Sequence, residues 1–117
     1  MKITKNLLVS VAACGLMMSS AFADDMVAKG EKIFTTLELG NCQACHDANG
    51  KKLDGPGSFG PKLVGLKYWD EQTLYDTVYD IYKARGLKIS AMPAFGPTGH
   101  LSDEEIKAVV AYIKTIE

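Results

Sequence analysis

Five consecutive residues, Cys42-Gln43-Ala44-Cys45-His46, constrain this chain more than any other stretch of its 117 residues. Two thiols followed at once by an imidazole make the C-x-x-C-H pattern of covalent haem attachment. The spacing lets each thiol form a thioether to one vinyl group of a single porphyrin, and the adjacent histidine reaches the iron from the proximal face. A short chain bearing such a group has to fold around it. The competing chemistries ask for more than the sequence supplies. A dithiol redox motif wants a βαβ setting, and no strand-like alternation of useful length is present. A structural zinc site wants four ligands, and the only further cysteine and histidine are Cys14 and His100.

The first 23 residues read as a secretory signal peptide. Lys2 and Lys5 form a positive n-region, Leu7 to Met18 an apolar h-region, and Ala21-Phe22-Ala23 a small-residue cleavage site before Asp24. The apolar stretch is short for a membrane span and lacks basic stop-transfer residues after it. Val11-Ala12-Ala13-Cys14 also resembles a lipobox, which would leave a lipid anchor at Cys14. Both routes export the chain, and the expected compartment is the periplasm. Cleavage after Ala23 removes two lysines and no acids, taking the formal charge from −1 to −3. That balance, with no basic stripe, excludes nucleic acid as a partner. Residues 24–117 are expected to form one domain whose small core needs the cofactor to complete it.

Within that domain the periodicity predicts three helices and no strand. The first runs from about Met26 to Leu37, with Val27, Gly30, Ile33, Phe34 and Leu37 on one side, and ends at Gly40-Asn41. Residues 47–67, rich in glycine and interrupted by Pro56 and Pro61, form an irregular loop. Asp70 caps a second helix reaching about Ala84, with Leu74, Val78 and Ile81 inward, Tyr75, Tyr79 and Tyr82 beside them, and Arg85-Gly86 as its stop. Pro93 and Pro97 keep residues 87–101 irregular. Ser102 and Glu105 make a capping box for the last helix, where Ile106, Val109, Val110, Ile113 and Ile116 share a face.

His46 accounts for one axial bond to iron, and the opposite side decides the chemistry. Met1, Met17 and Met18 go with the leader, and Met26 lies ahead of the haem run. Met92, in Ser90-Ala91-Met92-Pro93-Ala94-Phe95-Gly96, sits where proline fixes the backbone and small neighbours allow close approach to a flat group. His100 is the rival ligand, placed just before a helix cap. His/Met ligation closes both coordination positions, so the expected work is outer-sphere electron transfer, with no substrate at the metal.

Taken together, the haem run, Gly60-Pro61-Lys62-Leu63, Met92-Pro93 and the terminal Ala108-Val109-Val110-Ala111-Tyr112-Ile113 segment resemble a class I cytochrome c over the whole mature chain. The resemblance implies an all-α fold packed around one covalent haem c. It also implies that the Pro61 carbonyl bonds His46 and orients its ring, and that the first and last helices cross near Gly30 or Phe34 and Tyr112. Tyr68 or Trp69 is placed to bond a haem propionate or to pack. A narrower likeness rests on Gly40-Asn41-Cys42, Met92-Pro93-Ala94-Phe95-Gly96 and Leu101-Ser102-Asp103-Glu104-Glu105-Ile106. These resemble SoxX, the small monohaem subunit of the SoxAX complex of periplasmic thiosulfate oxidation. The chain departs from that family in having Lys88-Ile89-Ser90-Ala91 where Asn-Pro is frequent. The likeness implies a heterodimer in which a larger SoxA-like subunit is the catalytic partner and this chain relays electrons. The second expectation is a free shuttle between a membrane complex and a terminal oxidase or reductase, steered by Lys51, Lys52, Lys62 and Lys88. A haem gas sensor or peroxidase, which needs an open sixth position, is the third.

Overall fold

The computed structural model describes residues 22–117, so the proposed signal peptide and lipobox lie almost wholly outside the described residues. Helices α1 (22–35), α2 (Glu71–Tyr79), α3 (Ile81–Arg85) and α4 (Asp103–Ile113) carry the fold. Short 3-10 turns stand at Cys42–Ala44 and Leu66–Tyr68. Among the described residues the only extended pairing is one isolated parallel bridge, Ala48 with Leu63. The described residues are all-α, as the periodicity predicts. No described helix is long and apolar enough to cross a membrane.

The core forms where α1 crosses α4. Gly30 is the residue that permits the approach: a Cβ there would lie 1.9 Å from the Ala108 carbonyl oxygen and 2.8 Å from Tyr112 Cβ. One turn further along α1, the Phe34 and Tyr112 rings meet at 5.3 Å, tilted by 58°. Ile33, Phe34, Ile106, Val109, Val110 and Ile116 are almost completely removed from water. Helix α1 ends two residues sooner than its periodicity suggested. Leu37 therefore falls in a turn and is 72% exposed. The reversal is closed by Gly40 and Asn41, whose amides both donate to the Ile33 carbonyl, with Asn41 in the left-handed region at φ 49°. Asn tolerates that conformation better than most side chains.

The expected second helix is in fact two. Asp80 leaves helical geometry (φ −152°, ψ 92°), closes α2, and turns its carboxylate onto the Tyr82 and Lys83 amides to cap α3. Asp80 is thus an N-cap inside an apparently continuous period, the role its short acidic side chain fills best. Asp70 caps α2 through the Thr73 amide, and Gly86 at φ 64° terminates α3. Leu74 and Val78 face inward, and α2 packs against α4. At α4 both halves of the capping box are present: Ser102 Oγ accepts from the Glu105 amide and Glu105 Oε1 from the Ser102 amide.

The glycine-rich segment is irregular but folded onto the haem run. Gly57 N–H donates to Gln43 O at 2.9 Å, Gly60 N–H to Cys45 O at 2.7 Å, and Leu63 N–H to Asp47 O at 2.7 Å. Gly57 is needed for this approach, because a Cβ would fall 1.8 Å from the Ala44 carbonyl oxygen.

Candidate functional site

Between these elements lies a cavity of about 490 Å³, within the range of small-molecule and cofactor sites, roughly 300–1,000 Å³. Its wall is mostly aliphatic and aromatic, contributed by α1 (Phe34), α2 (Leu74, Val78), α3 (Ile81) and α4 (Val109, Ile113). Cys42, Cys45 and His46 of one short run line this space together with Pro61 and Met92, which come from two segments further along the chain. His100 does not. Its Nε2–H donates instead to the Leu39 carbonyl, and its ring packs on Phe95 at 5.8 Å. The histidine that stood as rival to Met92 is therefore a tie between the end of the 87–101 loop and the turn ahead of Cys42.

The 3-10 turn at Cys42–Ala44 brings both cysteines to the cavity wall, and His46 N–H closes it by donating to Cys42 O at 2.9 Å. His46 Nδ1–H donates to the Pro61 carbonyl at 2.7 Å. The proton this bond fixes on Nδ1 leaves the Nε2 lone pair available to a metal. Gly60 makes room for the ring, since a Cβ would lie 2.6 Å from His46 Cε1. Lys62 meanwhile pairs with Asp47 at 3.7 Å, fastening the same loop beside the histidine. Lys51 Nζ lies 5.3 Å over the Tyr112 ring. Two of the four lysines suggested for steering thus have partners on their own chain.

Two features separate this site from the other cysteine chemistries. Burial pushes the Cys42 thiol up to about 12, the opposite of a redox cysteine, whose thiol is lowered to make thiolate. Among the described residues, no cluster of three or more His, Cys, Asp or Glu side chains is disposed to hold a bare metal ion. The residues fit a haem instead: a large apolar cavity, two adjacent thiols on its wall, and an imidazole held with its ring oriented. On the 87–101 loop, Ser90, Ala91 and Met92 contribute to the lining, and Met92 packs partly against the core.

Arg85 reads in the sequence only as part of a helix stop. Among the described residues Arg85 is the one Lys, Arg, Asp or Glu on the cavity wall, with its guanidinium 5.6 Å from the Trp69 ring centre. Trp69 lines the cavity too, whereas Tyr68 is 82% exposed and does not. The signal was present only as a basic residue near a helix end, which ordinarily means dipole complementarity.

Comparison with known proteins agrees with this geometry. Residues 25–113 match the family described as cytochrome c oxidase, cbb3-type, subunit III. The chain is 31% identical over 105 residues to a cytochrome c6 of Thermosynechococcus vestitus, covering 90% of this chain and 82% of that one. It is 33% identical over 87 residues to a cytochrome c6 of Synechococcus elongatus, covering 74% and 86%. An uncharacterized lipoprotein of Aquifex aeolicus is 36% identical over 76 residues, which is 63% of this chain and 35% of that protein. With a haem-attachment run on the wall of a large apolar cavity, and with this family match over most of its length, the chain belongs to the cytochrome c family as a class I c-type cytochrome that transfers electrons by a covalently bound haem.

Proposed function

We propose that the protein carries single electrons in the periplasm through one haem c, bound by Cys42 and Cys45 with His46 and Met92 as axial ligands. When bound, the haem supplies a reversible one-electron couple at iron. The residues around it set how that couple is used. Pro61 holds the His46 ring through Nδ1 and raises the basicity of Nε2. A thioether ligand at Met92 favours a higher potential than a second histidine. With His46 and Met92 both holding the iron, no position would be left for a substrate at the metal, and the chemistry the haem would supply is electron exchange with a partner. The convergence of Cys42, Cys45, His46, Pro61 and Met92 on one apolar cavity is the single observation that carries this reading.

As to partner, the motif set at 40–42, 92–96 and 101–106 supports a SoxX-like role, in which the chain is the electron-accepting, non-catalytic subunit of a SoxAX-type thiosulfate-oxidising complex. A second reading has its own support. The cytochrome c6 relatives align with this chain over 82% and 86% of their own length. That suits a free shuttle. Purifying the native protein from periplasm with haem staining separates the two. Co-elution with a larger haem-bearing subunit is expected for the SoxX-like role, and a haem-bearing monomer alone would leave the shuttle. A chain without haem would contradict both.

A further inference from the structure

We propose that the Tyr82 hydroxyl is a positioning group for the Met92 sulfur, an inference that rests on the reading of Met92 as an iron ligand given above. Two hydrogen bonds in series connect α3 to that methionine. Tyr82 Oη donates to the Ser90 carbonyl at 2.9 Å, and the Met92 amide donates to Ser90 Oγ at 3.1 Å. Ser90, Ala91 and Met92 all face the cavity, so the bonded segment is the one that brings the sulfur there.

Beyond the Leu87 amide, which donates to the Tyr82 carbonyl at 2.8 Å, the approach to Ser90 has little else to hold it. Gly86 is exposed, Leu87 is 42% exposed, Lys88 is exposed and Ile89 is 88% exposed. The far end of the loop is clamped separately. Phe95 is buried, Gly96 N–H donates to the Tyr79 carbonyl at 2.9 Å, and the Tyr79 ring occupies the space a Cβ at residue 96 would need, 2.1 Å from that position. His100 and Leu39 tie down its exit. Met92 therefore lies between one strongly fixed end and one end whose fixation depends on Tyr82. Removing only the hydroxyl leaves the ring to pack and deletes the tie, which should ease local opening of the loop while sparing the helices.

The test uses the haem-loaded protein, with Tyr82→Phe beside Ser102→Ala, a change that weakens the α4 cap without touching the loop. The sulfur-to-iron absorption band of the oxidised form and the helix signal in circular dichroism are followed through one urea titration. Carbon monoxide association is measured on the reduced form. Tyr82→Phe should keep the band in water and lose it at lower urea than the parent, with the helix midpoint unmoved. Carbon monoxide should bind about fivefold faster, the ordinary net worth of one neutral hydrogen bond. Ser102→Ala should move band and helix midpoints together. If Tyr82→Phe moves both midpoints equally, or moves neither, the positioning role is refuted while Met92 ligation stands, provided Met92→Ala abolishes the parent band. A parent without that band, unchanged by Met92→Ala, overturns the ligand reading and this inference with it.

Discussion

The His46 ring lies between the Pro61 carbonyl, 2.7 Å from Nδ1, and Gly60, where a Cβ would stand 2.6 Å from Cε1. One neighbour fixes the ring by a bond and the other by leaving space. Gly60→Ala has to push the ring or the loop aside, and overpacking of this kind costs about 1–3 kcal/mol. Urea unfolding of the haem-loaded variant should show that loss together with a changed reduction potential, because ring orientation tunes the iron. An unchanged potential would mean the ring accommodates the methyl group without turning. Cys42, Cys45, His46 and Met92, all on the cavity wall, stand out in the chain by residue type and local setting. Gly60 read only as part of an irregular loop. Its contact is with a side chain fourteen residues earlier, which no local pattern records.

At the scale of elements, helix ends were legible where the signal is local. The Ser102/Glu105 box, the Asp70 cap and the Gly86 stop all stand where their side-chain chemistry places them. The break at Asp80 was not, because Leu74, Val78 and Ile81 keep helical period across it and one residue's dihedral angles settle the matter. The same holds for Leu37, apolar and in register yet exposed after α1 has ended. The α1–α4 crossing is the element-scale feature most open to attack. Gly30→Ala would put a methyl 1.9 Å from a backbone oxygen that cannot rotate away, so the helices must separate. The expected loss is at or above the roughly 1–3 kcal/mol of ordinary overpacking, read as a lower urea midpoint by circular dichroism. Wild-type stability in that variant would place the tight crossing elsewhere.

For the molecule as a whole, acid and alkali should act through one corner of the fold. The Tyr75 hydroxyl donates to Asp103 Oδ1 at 2.6 Å, and Lys107 pairs with the other oxygen at 3.0 Å, so the Asp103 carboxyl is held below its ordinary 3.8. The Ser102 amide likewise holds Glu105 below 4.5. Stability from these lowered carboxylates is complete above those ordinary values and drains as the pH falls through the lowered ones. Tyr75 itself is pushed up to about 12, chiefly by the same bond to Asp103. Its contribution is complete below 10.0 and is lost as the pH rises towards 12. Tyr75→Phe should flatten the alkaline limb of a stability–pH curve, and Glu105→Gln should shallow the acid limb. Curves parallel to the parent would disconnect these groups from folding.

The central claim, a polypeptide closed around a porphyrin joined to two sulfurs, is tested most directly by intact mass. Expressed in a host competent to attach haem c, the protein should weigh its processed chain plus one haem. The Cys42→Ala/Cys45→Ala double variant should weigh the bare chain. A wild-type protein with no added mass, or a double variant that still carries it covalently, would contradict the account.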